Sequence, residues 1–254
     1  MQKAIRVSEA IYRYAEDIHR NPELRNKAGF FHVSDLVGDV GWNCNRYFGY
    51  IRLGEPQINE TRTFSPDIQR TFWIGEGIEL GFKDVIPKAM EKDLERVGGK
   101  MISFHYQYSF RDQELGIVGH VDFVAHYEID GLKYTHVIDT KSTSSTSQDK
   151  RQVAKNTLLS RPDAYHDRQV SVYLHYLKQD KELEADVYVA NLTYIEKAHT
   201  HRLSDAWATS ERTHTILSNR IKKVDKELSE GKLPLPTSGS HCRSCQWSEL
   251  CQKK

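Results

Sequence analysis

The sequence predicts an α/β fold, a mixed central sheet flanked by helices, and three observations carry that prediction. Three neighbouring runs, 102–110, 116–127 and 134–140, are rich in branched and aromatic residues, as strands are. Asp130-Gly131 joins the second run to the third and is a strong hairpin signal, because both residue types tolerate positive φ. Helical stripes precede and follow these runs, and a further strand lies between two later helices, which is the order of a layered α/β core.

The elements follow in chain order. Val7, Ile11, Tyr14 and Ile18 form one stripe over 1–20, so residues 1–30 read as an N-terminal helical extension to a domain spanning 31–254. Ser34 can cap a second helix that runs through Leu36 toward Cys44. Gly54, Pro56 and Pro66 mark 53–68 as a loop. From 69 to 96 one long helical pattern places Ile74, Ile78, Phe82, Val85 and Ala89 on a single face, until Gly98-Gly99 ends it. After the three strands, a Ser/Thr run at 142–147 precedes Lys150, Arg151 and Lys155; it is either a flexible surface loop or a mobile lip over an active site. Pro162 opens a helix through Tyr165, Gln169, Tyr173 and Leu177, and 185–194 reads as another strand. A helix over 204–229 buries Leu217, Ile221, Val224 and Leu228 before Gly231 stops it. Leu233-Pro234-Leu235-Pro236 then leads into a cysteine knuckle at 242–251.

Composition excludes some function classes and leaves others open. With 254 residues and 38% hydrophobic content the chain can bury an ample core. A net charge of +1 creates no global field for nucleic acid, so any DNA path must come from local basic clustering. No apolar run approaches a membrane span and no secretory h-region is visible, so a cytoplasmic address is expected. In such a compartment the four cysteines are not expected to form disulfides. Cys242, Cys245 and Cys251 lie within ten residues and read as a metal or cluster knuckle, with a fourth ligand from afar.

The most informative residues sit where strands should be apolar. Asp122 interrupts the run 117–123, and Asp139 follows Val137-Ile138. A carboxylate among branched apolar residues needs a compensating partner, and a divalent metal with water is the usual one. If the two strands pair, the acids can converge on one ion, while Lys141 projects from the same strand face as Asp139. Two oxygen ligands and an ammonium on one rim suit phosphodiester hydrolysis.

Asp122, the Asp139-Thr140-Lys141 triplet and Gln169-x-x-x-Tyr173 resemble the motifs of the RecB-like branch of the PD-(D/E)XK nucleases. Where that branch commonly has a Gly-x-x-x-His helix, this chain has Gly75-Glu76-Gly77-Ile78-Glu79, with Glu79 in the histidine's place and Glu76 as its competitor. A glutamate there still suits a hard cation. Cys44 with Arg46 nearby, then Cys242-x-x-Cys245-x5-Cys251, resembles the iron–sulfur staple of the CRISPR-associated and phage RecB-like exonucleases and of the AddB nuclease domain. Together the matching motifs span residues 34–251.

The resemblance implies a restriction-endonuclease-like core whose ends are joined by a 4Fe–4S cluster on Cys44, Cys242, Cys245 and Cys251; zinc is the alternative for four thiolates. It implies Mg²⁺ or Mn²⁺ held by Glu79, Asp122, Asp139 and the carbonyl of Thr140. Lys141 would position the attacking water, and Gln169 and Tyr173 would approach the DNA strand. Read singly, Gln169 and Tyr173 are an exposed helix pair, His120 is a sheet residue, and Tyr165 and Tyr176 are packing. The activity implied is a metal-dependent exonuclease on single-stranded DNA or duplex ends. One rival is a DNA-end-binding module serving an integrase, helicase or recombinase; another is a zinc-stapled protein acting on RNA or scaffolding a complex.

Overall fold

In a computed structural model, the residues described are 29–55, 66–143, 163–196, 203–207 and 212–252. The expected N-terminal helix, the Ser/Thr run beyond 143 and Pro162 lie outside them.

The chain begins with a short strand β1 (Phe31–His32) and three short helices, α1 (Val33–Val37), α2 (Asp39–Asn43) and α3 (Asn45–Leu53). The single helix expected from Ser34 is thus broken twice: His32 takes the cap position, and Gly38 and Cys44 are extended. Gly41 allows the tight packing of these turns, since a Cβ there would run into the Asp35 carbonyl oxygen. The long helix expected over 69–96 is also two, α4 (Pro66–Lys83) and α5 (Val85–Arg96). Pro87 explains the break. In the first turn of α5 its missing N–H is no loss, whereas within a continuous helix its ring would meet the Lys83 carbonyl. The break also shifts the apolar face: Phe82, Ile86 and Met90 pack inward, and Val85 is exposed.

Strands β2 (Lys100–Asp112), β3 (Ile117–Ile129) and β4 (Leu132–Thr143) form the expected meander, with Asp130-Gly131 at its hairpin. Helix α6 (Ala164–Leu177), strand β5 (Val187–Glu196), strand β6 (Leu203–Trp207) and helix α7 (Thr213–Ser229) follow. The segment at the start of the expected helix over 204–229 is therefore a strand, which pairs antiparallel with β5 from Asn191↔Trp207 to Ile195↔Leu203. A 3-10 turn (Ser240–Arg243) and a short helix α8 (Ser248–Gln252) end the described chain.

The sheet has six strands in the order β1-β3-β4-β5-β6, with β2 also on β3. It is mixed: β1–β3 and β4–β5 are parallel and the other pairs antiparallel. The larger core lies between one sheet face and α1, α3, α6 and α7, sealed by Trp247 from the C-terminal segment. The smaller core, with Phe123, Ala125 and Ile138, lies on the other face under α4 and α5. Among the described residues no helix is long and apolar enough to cross a membrane.

Candidate active site and a thiol-lined cavity

The site grows out of a gap in the sheet. β2 occupies one edge of β3 from Ile117 to Glu128, so β1 and β4 must share the other edge. β4 leaves β3 after Phe123↔Ile138, and β1 joins only at Ile117 and Val118. Asp122 stands in this gap, where β3 changes faces: Val121 packs in the larger core and Phe123 in the smaller. Its carboxylate replaces the missing ladder bonds, with Oδ2 accepting from the Thr140 N–H at 2.8 Å and the Thr140 hydroxyl at 2.9 Å.

Asp139 is 0% exposed. The Lys141 ammonium stands 2.6 Å from its Oδ2 and pairs with it. Among the described residues no other donor reaches either carboxylate oxygen. Burial pushes the Asp139 carboxyl up to about 7, with Lys141 pulling it down and Asp122 and Glu79 pushing the same way as burial. Desolvation acts to lower the Lys141 pKa, but Asp139 and Asp122 outweigh it and the ammonium is stabilised. Glu79 reaches the same charges from α4. Burial and then the charge of Asp122 raise its pKa, against a hydrogen bond from the Gln107 side-chain amide.

A fully buried carboxylate whose one partner is an ammonium, with Oδ1 left without a donor, would be costly in a closed apolar site. A hard divalent cation is the partner such oxygens suit, and the donor set Glu79, Asp122 and Asp139 fits one. Lys141 and Thr140 now hold one oxygen each of Asp139 and Asp122, and among the described residues no three His, Cys, Asp or Glu side chains are gathered tightly enough for a single ion.

Gln169 and Tyr173 are buried, which overturns their reading as an exposed helix pair. Gln169 Nε2 donates to the Tyr173 hydroxyl at 2.7 Å, leaving Gln169 Oε1 buried without a donor. Burial first, then the charge of Asp139, raises the Tyr173 pKa, so this α6 pair lies within reach of the acids. Glu76 is exposed, and His120 is exposed beside Ser109 and His32, as a sheet residue would be. Tyr176 packs on Phe110 with ring centroids 4.4 Å apart. Tyr165 packs against the larger core as expected, and it also lies in the field of Lys141, Asp35 and Asp139.

The cysteines expected to hold a metal group border the larger core. Cys44, Cys242, Cys245 and Cys251, all free thiols, line one cavity of about 300 Å³ together with Arg46, Tyr50 and His241. Burial raises the Cys245 thiol pKa against a hydrogen bond from the Trp247 backbone, and the three other cysteines each push it the same way as burial. Arg46 is 8% exposed; its Nε donates to the Pro234 carbonyl at 2.7 Å and its Nη1 faces Cys251 Sγ at 3.9 Å. No carboxylate pairs with it among the described residues. A buried guanidinium needs an anion, and thiolates on a bound metal group would supply one. Four soft donors around a shared space suit a thiolate-bound metal or cluster by their chemistry, although here too, among the described residues, no three are gathered tightly enough for a single ion. Trp247 anchors the segment, donating to the Glu55 carbonyl at 3.2 Å and packing edge-on to Tyr47.

Sequence reasoning missed Tyr106 and Gln107, which surround Glu79, and the His166–Tyr194 pair beside Lys141. Gln107 has a positive φ of 55° opposite Asp122, a backbone state with no signature in a non-glycine residue.

A family model described as the PD-(D/E)XK nuclease superfamily matches residues 55–252. The solved structure described as "Crystal structure of SSO0001" is similar in fold, with a TM-score of 0.50 over 98% of this chain and 99% of that chain at 16% identity. Comparison with curated proteins finds no match.

Proposed function

Because this chain belongs to the PD-(D/E)XK nuclease superfamily, we propose that it is a divalent-metal-dependent deoxyribonuclease, an exonuclease acting on single-stranded DNA or duplex ends. The observation that carries the reading is Asp139, a fully buried carboxylate whose one partner among the described residues is the Lys141 ammonium, in the gap between β3 and β4. Glu79, Asp122, Asp139 and the Thr140 carbonyl would hold Mg²⁺ or Mn²⁺. When bound, such a cation supplies Lewis acidity toward the phosphoryl oxygens and makes water a stronger acid. Lys141, released from Asp139, orients the attacking water and faces the negative charge that develops on the phosphoryl group. Thr140 fixes the Asp122 carboxylate in place through two hydrogen bonds. Gln169 and Tyr173 form the wall over the acids, and the donor-free Gln169 Oε1 is the group there with an open hydrogen-bonding site.

In the same reading Cys44, Cys242, Cys245 and Cys251 hold a 4Fe–4S cluster, a structural group remote from the chemistry. Iron and acid-labile sulfide in anaerobically purified protein, against zinc content, decide between cluster and zinc.

The decisive test incubates that protein with 5′- and 3′-labelled single-stranded DNA and Mn²⁺, beside Lys141→Ala. Degradation by the parent alone is the expected result, and the label lost first gives the polarity. DNA bound but left intact by the parent would favour an end-binding module that serves a partner enzyme.

A further inference from the structure

We infer that His166 is a further phosphate-contacting residue of this site: Tyr194 holds it in the tautomer with its proton on Nε2, and that N–H donates to the phosphodiester beside Lys141. The inference rests on the nuclease reading and adds a substrate contact to it.

Tyr194 is the β5 neighbour of Lys141 in the parallel ladder, so the two side chains share a sheet face. Helix α6 covers that face, and its first turn brings in His166. The Tyr194 hydroxyl accepts the Asp163 N–H at 3.1 Å and lies 3.1 Å from His166 Nδ1. Burial is the leading cause that keeps the phenol protonated to about pH 12, so it always has one proton to give. With the Asp163 N–H already donating to the phenol, the arrangement we infer has the phenol proton given to His166 Nδ1. A neutral imidazole that accepts at Nδ1 carries its own hydrogen on Nε2.

The surroundings favour the neutral ring. Burial, then the charge of Lys141, brings its pKa down to about 4 against the opposing charge of Asp163. Among the described residues, Tyr194 is the hydrogen-bond partner found for this imidazole, and Nε2–H has none. The result is an oriented, uncharged donor in the field of the one ammonium expected to meet the phosphate. It can add a hydrogen bond to a phosphoryl oxygen without repelling Lys141, which a second cation would do. A packing role would explain the ring contacts with Tyr165 and Tyr194 but not the need for a phenol aimed at Nδ1.

The test combines steady-state cleavage of single-stranded DNA with Mn²⁺ and long-range ¹H–¹⁵N spectra of the metal-free protein labelled at histidine. The His166 signals are assigned by their loss in His166→Gln. The expected result is a kcat about 10²-fold lower in His166→Phe with KM little changed, and recovery of about tenfold in His166→Gln, whose amide restores a donor. The parent should show the Nε2–H tautomer and Tyr194→Phe a mixture of both. A His166→Phe enzyme within about threefold of the parent in kcat overturns the inference, as does an Nδ1–H tautomer in the parent. Should His166→Phe not fold, Tyr194→Phe decides by itself, and an unchanged kcat with an unchanged tautomer overturns it. A parent that leaves DNA intact, like Lys141→Ala, defeats the nuclease reading and this inference together. A parent that cleaves while His166→Phe keeps pace defeats the inference alone.

Discussion

The acid site and the thiol cavity are built in opposite ways. Asp122, Asp139 and Lys141 sit on strands in the middle of the chain, placed by a register that extends well beyond them. The thiols sit where elements end: Cys44 between α2 and α3, Cys242 in a 3-10 turn, Cys245 after it and Cys251 in a helix of five residues. A sheet holds the first whether or not a cation is present. Beyond the Trp247 packing, a metal group has much to add to the second, because its ligands join residue 44 to residue 251. The contrast separates chemistry from architecture: the hard-donor site should control turnover and the soft-donor site stability.

The largest expected effects test that separation as a pair. Lys141→Ala and Asp122→Ala should each lower DNA cleavage by at least about 10³-fold with the far-UV spectrum and melting transition retained. Cys245→Ser should remove the bound metal and several kcal/mol of stability, since binding at a site absent from the unfolded chain is folding energy. Absorption spectra, metal content and urea unfolding read the second. A Cys245→Ser protein as stable as the parent, or a Lys141→Ala protein that still cuts, breaks the division of labour.

A smaller effect concerns pH in the metal-free state. Burial holds the Asp139 carboxyl up at about 7 against an ordinary value of 3.8, so the fold prefers its protonated form. Its contribution to stability is complete below the ordinary value and is lost as pH rises through about 7. Asp139→Asn does not titrate. It should therefore gain on the parent between about pH 4 and 7, by at most about 4 kcal/mol for a shift of roughly three units. Excess Mg²⁺ should close the gap by stabilising the parent alone. Cys245→Ser leaves the Asp139 carboxyl in place, so its difference from the metal-free parent should show no such trend. Urea unfolding of each protein across the range checks both, and a flat difference for Asp139→Asn would remove Asp139 as the strained acid.

How much of this was legible in the sequence follows from the same contrast. Asp122, Asp139 and Lys141 stood out because charges interrupt apolar strand runs, and the cysteines because their spacing is uneven. Both signals are local. The face of Gln169 and Tyr173 was misjudged because α6 is buried on more than one side, which a pair four residues apart cannot reveal. Pro87 was a readable stop for the long helix, and the helical stripe across it obscured that stop. β6 carried too short a pattern to resist the helix that follows. The His166–Tyr194 and Glu79–Gln107 pairs are contacts between elements 28 residues apart in each case, and no periodicity reports such contacts.

The smallest expected effect asks whether the two regions also differ in backbone strain. Gln107, opposite Asp122, has φ 55°, and the other non-glycine residue with positive φ among the described residues is Asp130, in the hairpin turn. Left-handed backbone costs a side-chain-bearing residue about 1 kcal/mol or more, and the pairs Tyr106↔Phe123 and Tyr108↔Val121 on either side hold Gln107 there. Gln107→Ala keeps that cost and loses the Glu79 contact; Gln107→Gly loses the contact but removes the cost. The glycine variant should therefore be the more stable of the two by about 1 kcal/mol in urea unfolding, reversing the usual order of alanine over glycine. Both should cleave DNA more slowly, because Glu79 loses its donor. At the thiol cavity the order should stay normal. Ser244, next to Cys245, has φ −100°, so Ser244→Gly should be less stable than Ser244→Ala by about 0.5–1 kcal/mol. If glycine is the worse choice at both positions, Gln107 is not strained, and the acid site owes its geometry to sheet register and side-chain contacts alone.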